Sequence, residues 1–140
     1  MSQEDVEHAR RGYTVLSDAL TAGDLGPLRR LVEERFDPDV TIKPAGVFPE
    51  TDDVHGRDGA MRFLATQSEA FETLWFEPLE FLDAADRVVV PVRITSRGRH
   101  TGIDLEFERV HVWTYRSGKV LRLEIYASKH EALEAVGLSE

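Results

Sequence analysis

Between residues 75 and 127 the chain offers four runs rich in β-branched and aromatic residues, and the connectors between them are too short to hold anything but turns. The runs are Trp75 to Leu82, Arg87 to Ser96, Gly102 to Tyr115 and Lys119 to Ala127. They are separated by Asp83-Ala84-Ala85-Asp86, Arg97-Gly98-Arg99-His100 and Arg116-Ser117-Gly118. A parallel crossover needs a dozen or more residues, so consecutive strands joined this way pair antiparallel. The second half of the chain is thereby committed to an antiparallel sheet, and the first half must cover it.

That first half reads mainly as helix. Val6, Ala9, Tyr13, Leu16 and Leu20 recur at steps of three and four and share one helix face, with Glu7, Arg10, Arg11 and Asp18 opposite. The pattern stops at Ala22-Gly23-Asp24, where glycine suits a helix C-terminus and Asp24 can cap the next element. Gly26 to Arg35 fits a second helix with Pro27 in its first turn and Leu28, Leu31 and Val32 as its buried stripe. Phe36 to Pro44 reads as a strand with Val40 and Ile42 on one face, and Ala45 to Gly56 as a long loop around the acidic cluster Glu50-Thr51-Asp52-Asp53. A third helix fits Asp58 to Thr73, with Asp58 as its cap. Ala60, Phe63, Leu64, Phe71 and Leu74 form its stripe, and Gln67 falls inside it. Lys129 to Val136 closes the chain as a short helix ending at Gly137.

The longest strand carries an irregularity. Ile103, Leu105 and Phe107 share one parity and Val110 and Val112 the other, so a flat strand cannot keep all five on one face. A β-bulge near Glu108-Arg109 reconciles them, or both faces are covered, the second by His111 and Trp113 at a subunit contact, and the two can hold at once.

At 140 residues the chain fits one domain spanning 1–140. A net charge of -9 repels phosphate backbones and anionic membrane surfaces, which excludes nucleic acid as a partner. There are no cysteines, so disulfides, thiolate metal sites and cysteine nucleophiles are excluded together. The five histidines, at 8, 55, 100, 111 and 130, form no close pair at metal-ligand spacing, and no phosphate-binding loop or nucleophile elbow occurs. No metal and no cofactor is expected. Met1 to Arg11 lacks an apolar h-region and no stretch is long enough to span a membrane, so a cytoplasmic protein is expected.

In order and spacing these segments resemble the SnoaL-like branch of the nuclear-transport-factor-2-like family. The residues that carry the likeness are Tyr13 with Ala22-Gly23-Asp24, Pro38-Asp39-Val40, His55-Gly56-Arg57-Asp58, His111-Val112-Trp113-Thr114-Tyr115, Ser117-Gly118-Lys119-Val120 and Glu131 to Leu138. The resemblance implies an α+β fold in which a curved antiparallel sheet wraps around helices to form a cone-shaped cavity. It implies a homodimer as well. It does not imply one activity, because the family includes isomerases, cyclases, epoxide hydrolases, dehydratases and binding modules. Tyr13 matches the helix-borne oxyanion donor of the ketosteroid isomerases. Their aspartate base falls here at Lys43 or Pro44, and their second acid at Val110 or His111. The epoxide hydrolases' acid would fall at Ile125. The acid-base pair of the SnoaL cyclases has Glu106, Glu108 and His111 as its nearest substitutes.

The expected ligand is a small apolar molecule. Tyr13, Glu108 and His111 are the candidate catalytic residues, the phenol donating to a developing oxyanion and the glutamate or imidazole moving a proton. Leu16, His55, Phe63, Gln67, Phe71, Val90, Val92, Leu105, Val110, Leu123 and Ile125 are the candidate ligand-binding residues, His55 at the cavity mouth. A binding module without catalysis remains the alternative. Trp113, Tyr115 and Tyr126 are expected on the outer sheet face, where their aromatic surface calls for a second copy of the chain.

Overall fold

The computed structural model describes residues 3–47 and 51–138. The elements run α1 (Gln3–Ala22), α2 (Gly26–Arg35), β1 (Phe36–Gly46), β2 (Val54–His55), α3 (Gly56–Ala70), β3 (Phe71–Pro78), β4 (Leu82–Ala84), β5 (Arg87–Gly98), β6 (Asp104–Arg116), β7 (Lys119–Tyr126) and α4 (Lys129–Ala135). The strands form one sheet in the order β2-β1-β7-β6-β5-β3, with β4 also paired to β5. Among the described residues, no helix is long and apolar enough to cross a membrane. Glu50 of the acidic loop cluster lies outside the described residues.

The sheet is curved and mixed rather than wholly antiparallel, since β1 pairs with β7 in parallel, Ile42 opposite Leu123. Short turns dictate antiparallel pairing only between neighbours in sequence, and α3 and the intervening strands separate β1 from β7 along the chain. Within the expected loop, Val54 and His55 pair back onto Ile42 and Thr41. His55 rather than Asp58 occupies the N-cap position of α3 and makes no side-chain cap, while Asp58 sits in the first turn. Gly56 turns the chain into that helix at φ +76°, a conformation that favours glycine. Arg57 then ties the helix start to β1 through two bonds to the Phe36 carbonyl, at 2.9 and 2.7 Å. Helix α3 ends at Ala70, earlier than the expected Thr73, because Phe71 is already extended and pairs with Gly98.

No bulge interrupts the pairing of β6 with β5, which runs in continuous register from Arg87 opposite Thr114 to Arg97 opposite Asp104. The irregular parity has the other explanation, two covered faces, but with the occupants exchanged. Val110 and Val112 lie on the convex side with Val89, under Ala132, Leu133 and Val136 at the C-terminal end of the chain. His111 and Trp113 face the concave side, among the main core.

Helix α1 lies against β3, the last strand of the sheet path, and saturates backbone groups of that strand. Phe76 N donates to Ser17 Oγ at 2.9 Å. Leu74 N donates to Thr21 Oγ1 at 3.1 Å, and the same hydroxyl donates to the Leu74 carbonyl at 3.1 Å. An edge left open would present these groups to water or to another chain. Ser17 is fully buried, so replacing it by alanine strands the Phe76 amide. Ser17→Ala is expected to cost about 1–3 kcal/mol in urea unfolding and to speed hydrogen exchange at Phe76 above other β3 amides.

Candidate functional site

The concave face of the sheet and the helices enclose a cavity of about 820 Å³. Its wall is mainly aliphatic and aromatic, including Leu16, Phe63, Phe71, Val90, Leu123 and Ile125. Three polar aromatic groups meet at mid-wall. The periodicity of α1 points Tyr13 inward, and the pleat of β6 brings His111 and Trp113, two residues apart, onto the same face. Tyr13 and His111 are 4% and 5% exposed.

Trp113 Nε1 donates to the Tyr13 hydroxyl oxygen at 2.8 Å, and the Tyr13 hydroxyl lies 2.8 Å from His111 Nδ1. The tyrosine and imidazole rings are nearly parallel, 13° apart with centroids at 5.8 Å, and the indole stands edge-on to both. The Phe76 ring is tilted by 44° to the imidazole, with centroids 6.2 Å apart. An indole N–H can only donate, so the phenol oxygen accepts from it. The phenol proton then needs an acceptor, and among the described residues only His111 Nδ1 is within reach. The imidazole is therefore assigned as the Nε2–H tautomer, the choice that leaves no buried O–H unpaired. Its Nε2–H bonds no protein group among the described residues.

Burial lowers the His111 pKa from 6.5 to about 4, which keeps the ring neutral at physiological pH. Burial likewise pushes the Tyr13 phenol well above its usual value, against the opposing pull of the Trp113 bond. The trio is a chain of neutral donors all oriented the same way, in which each bond polarises the next.

Of the other expected residues, Gln67 lines the cavity half-buried and bonds nothing among the described residues, and Leu105 lines it at the mouth, 54% exposed. Four lie elsewhere. Val92 is fully buried in the core, outside the cavity wall, and Val110 packs under α4 on the convex face. Glu108 is exposed and outside the wall. His55 is exposed in a shallow depression with Asp53 and Arg62, its Nδ1 3.4 Å from Thr41 Oγ1. Glu124 pairs opposite Val112 and accepts from the Tyr126 hydroxyl at 2.6 Å, so it faces away from His111.

Trp113 and Tyr115, expected outside at a subunit contact, both line the cavity, and Tyr126 packs against the cluster beneath α4. Sequence reasoning missed Trp113 and Tyr115 as site residues although they share parity with His111. Among the described residues no group of His, Cys, Asp and Glu is arranged to hold a metal ion.

No curated protein matches the sequence. Solved structures match along most of their length. A nuclear-transport-factor-2-like protein of unknown function from Burkholderia pseudomallei is 22% identical with a TM-score of 0.66, over 90% of this chain and 95% of that one. A Jannaschia protein named as a SnoaL-like polyketide cyclase is 19% identical with a TM-score of 0.69, over 93% and 92%. TerC, co-crystallised with polyporic acid, is 22% identical with a TM-score of 0.64, over 91% and 96%. At these identities the likeness concerns the fold. The model of the SnoaL-like domain matches residues 14–123, most of the chain and all of its sheet but the last residues of β7, and the protein belongs to that family.

Proposed function

We propose that the protein binds a small, largely apolar molecule in its cavity and holds a carbonyl or similar acceptor of that molecule on His111 Nε2–H. One observation carries this: a buried chain from Trp113 through Tyr13 to His111 ends in a donor with no protein acceptor among the described residues, on the wall of an apolar cavity. The volume, about 820 Å³, lies within the range typical of small-molecule sites. The TerC neighbour with polyporic acid supports a small organic ligand for this scaffold.

A second reading, acid-base chemistry of the isomerase or cyclase kind, is favoured by the same chain, because a neutral imidazole can stabilise an enolate oxygen as it forms. Proton transfer at carbon then needs a base. The carboxylates that line the cavity among the described residues, Asp5, Asp83, Asp86 and Glu106, are all exposed. Proton transfer would therefore run at the cavity rim, and binding with polarisation is the function the geometry supports best.

Trp113 lies in the wall, so quenching of tryptophan fluorescence by a panel of cyclic ketones, quinones and lactones reads binding directly. Loss of one buried hydrogen bond predicts that His111→Phe binds any hit about 3- to 10-fold more weakly. Ile125→Trp, which fills the wall beside His111, should abolish binding. Unchanged affinity in both variants overturns the proposal. For a hit that is turned over, His111→Phe, which removes the donor that meets the substrate oxygen, should cost roughly 10- to 1000-fold in rate.

The neutral imidazole also predicts a pH dependence of stability. The unfolded chain takes up a proton near pH 6.5 and the folded chain only near 4, so this contribution is complete above about pH 6.5 and declines as the pH falls toward 4. Its full size is roughly 3 kcal/mol, of which about 2 kcal/mol is lost by pH 5. Urea unfolding at pH 7.5 and 5 should show that loss in the wild type relative to His111→Gln, which does not titrate. Parallel curves would contradict a buried neutral histidine.

A further inference from the structure

Two residues before His111 on the same face of β6, Arg109 also lines the cavity. Its guanidinium lies 4.7 Å over the Phe107 ring, and one of its N–H groups goes to the Glu108 carbonyl at 2.8 Å. Among the described residues it pairs with no carboxylate, although Glu106 and Glu108 stand close by in sequence. Glu108 is exposed and lies off the cavity wall. Glu106 reaches the rim, but Arg93 Nε stands 3.3 Å from its carboxylate. A guanidinium presents five N–H donors in a planar fork suited to a carboxylate, and here the fork is steadied by an aromatic ring with most of its donors unspent. In a chain of net charge -9, a half-buried arginine without a carboxylate partner in an apolar wall is an unusual placement.

We infer that the cavity's ligand is an organic anion, an apolar body carrying a carbonyl for His111 and, one strand pleat away, a carboxylate or ionised enol for Arg109. This rests on the binding reading above. Residues two apart on a strand face are separated by about 7 Å, roughly the span of one aromatic ring with a substituent at each end. The inference adds charge and spacing to what the polarity of His111 alone specifies.

A matched pair of probes tests it. 4-Benzoylbenzoate holds a ketone and a carboxylate across one ring, and its methyl ester keeps the shape without the charge. At pH 7.5 calorimetry should show the acid binding about 10- to 100-fold more tightly than the ester, the range of a charge-assisted hydrogen bond. Arg109→Gln should erase that preference. Arg109→Lys should keep part of it, as a point charge without the fork. Equal affinity of acid and ester for the wild type, or a preference that survives Arg109→Gln, overturns the anion assignment and leaves the binding reading standing. Failure of acid and ester alike to bind the wild type at millimolar concentration counts against both.

Discussion

Two hydroxyls on α1 determine where everything else in the cavity sits. Ser17 and Thr21, one turn apart, bond the backbone of β3 at Phe76 and Leu74, and this fixes the helix both along and around its axis. Ser17 Oγ also donates to the Tyr13 carbonyl one turn back, so the residue that grips the sheet is tied to the residue that enters the cavity. Ser68 of α3 donates to the Leu20 carbonyl at 3.2 Å and holds the far end. With α1 clamped to the edge of the sheet, the Tyr13 side chain reaches across the concave face to β6 at its centre. A helix free to slide by one residue would lose that bond, because side chains one position apart on a helix point about 100° away from each other.

The trio on the far wall can stay buried because its members satisfy one another. Burying a phenol, an indole and an imidazole separately would cost several kcal/mol in lost hydration. Together they make two bonds and leave a single donor, whose direction follows from the indole's inability to accept. Under the proposed binding function, that asymmetry would also set ligand chemistry at His111. A molecule presenting only donors would face Nε2–H with another N–H or O–H, whereas an acceptor completes the chain. Under the proposed function, discrimination would come from the unspent donors of His111 and Arg109 more than from the shape of a cavity large enough to admit many skeletons.

Much of this was legible in the sequence, and the failures share a cause. The helix stripes gave α2 its bounds and put Tyr13, Leu16, Phe63 and Gln67 on inward faces, since each stripe has one apolar side. The four later strands were marked by their turns. Strand β6 was harder, because Leu133 of α4 and Val136 just after it cover its convex side and so give both parities buried residues. When both faces are apolar, alternation no longer tells inside from outside. Val110 and Trp113 were assigned to the wrong sides for that reason. An aromatic residue with a polar edge suits an interface and a ligand wall equally, so Trp113 and Tyr115 carried no signal of their own. The parallel pairing of β1 with β7 left no local trace, as no turn joins those strands.

The burial that assembles the donor chain makes His111 a poor proton carrier, and the sheet shows what separates the two roles. Directly beside His111 on the cavity face stand Val90 on β5 and Ile125 on β7, its two cross-strand partners. Side chains in such pairs lie about 5 Å apart, close enough for a carboxylate at either position to favour the imidazolium and raise its pKa toward neutrality. Both positions here are apolar, so nothing opposes the desolvation that holds the ring neutral. A general acid-base histidine and a hydrogen-bond donor therefore differ on this scaffold by one charge on a neighbouring strand, with the helix clamp, the tyrosine and the tryptophan unchanged. That dependence on a single flanking side chain gives a physical reason why a fold shared almost along its whole length does not carry one activity with it.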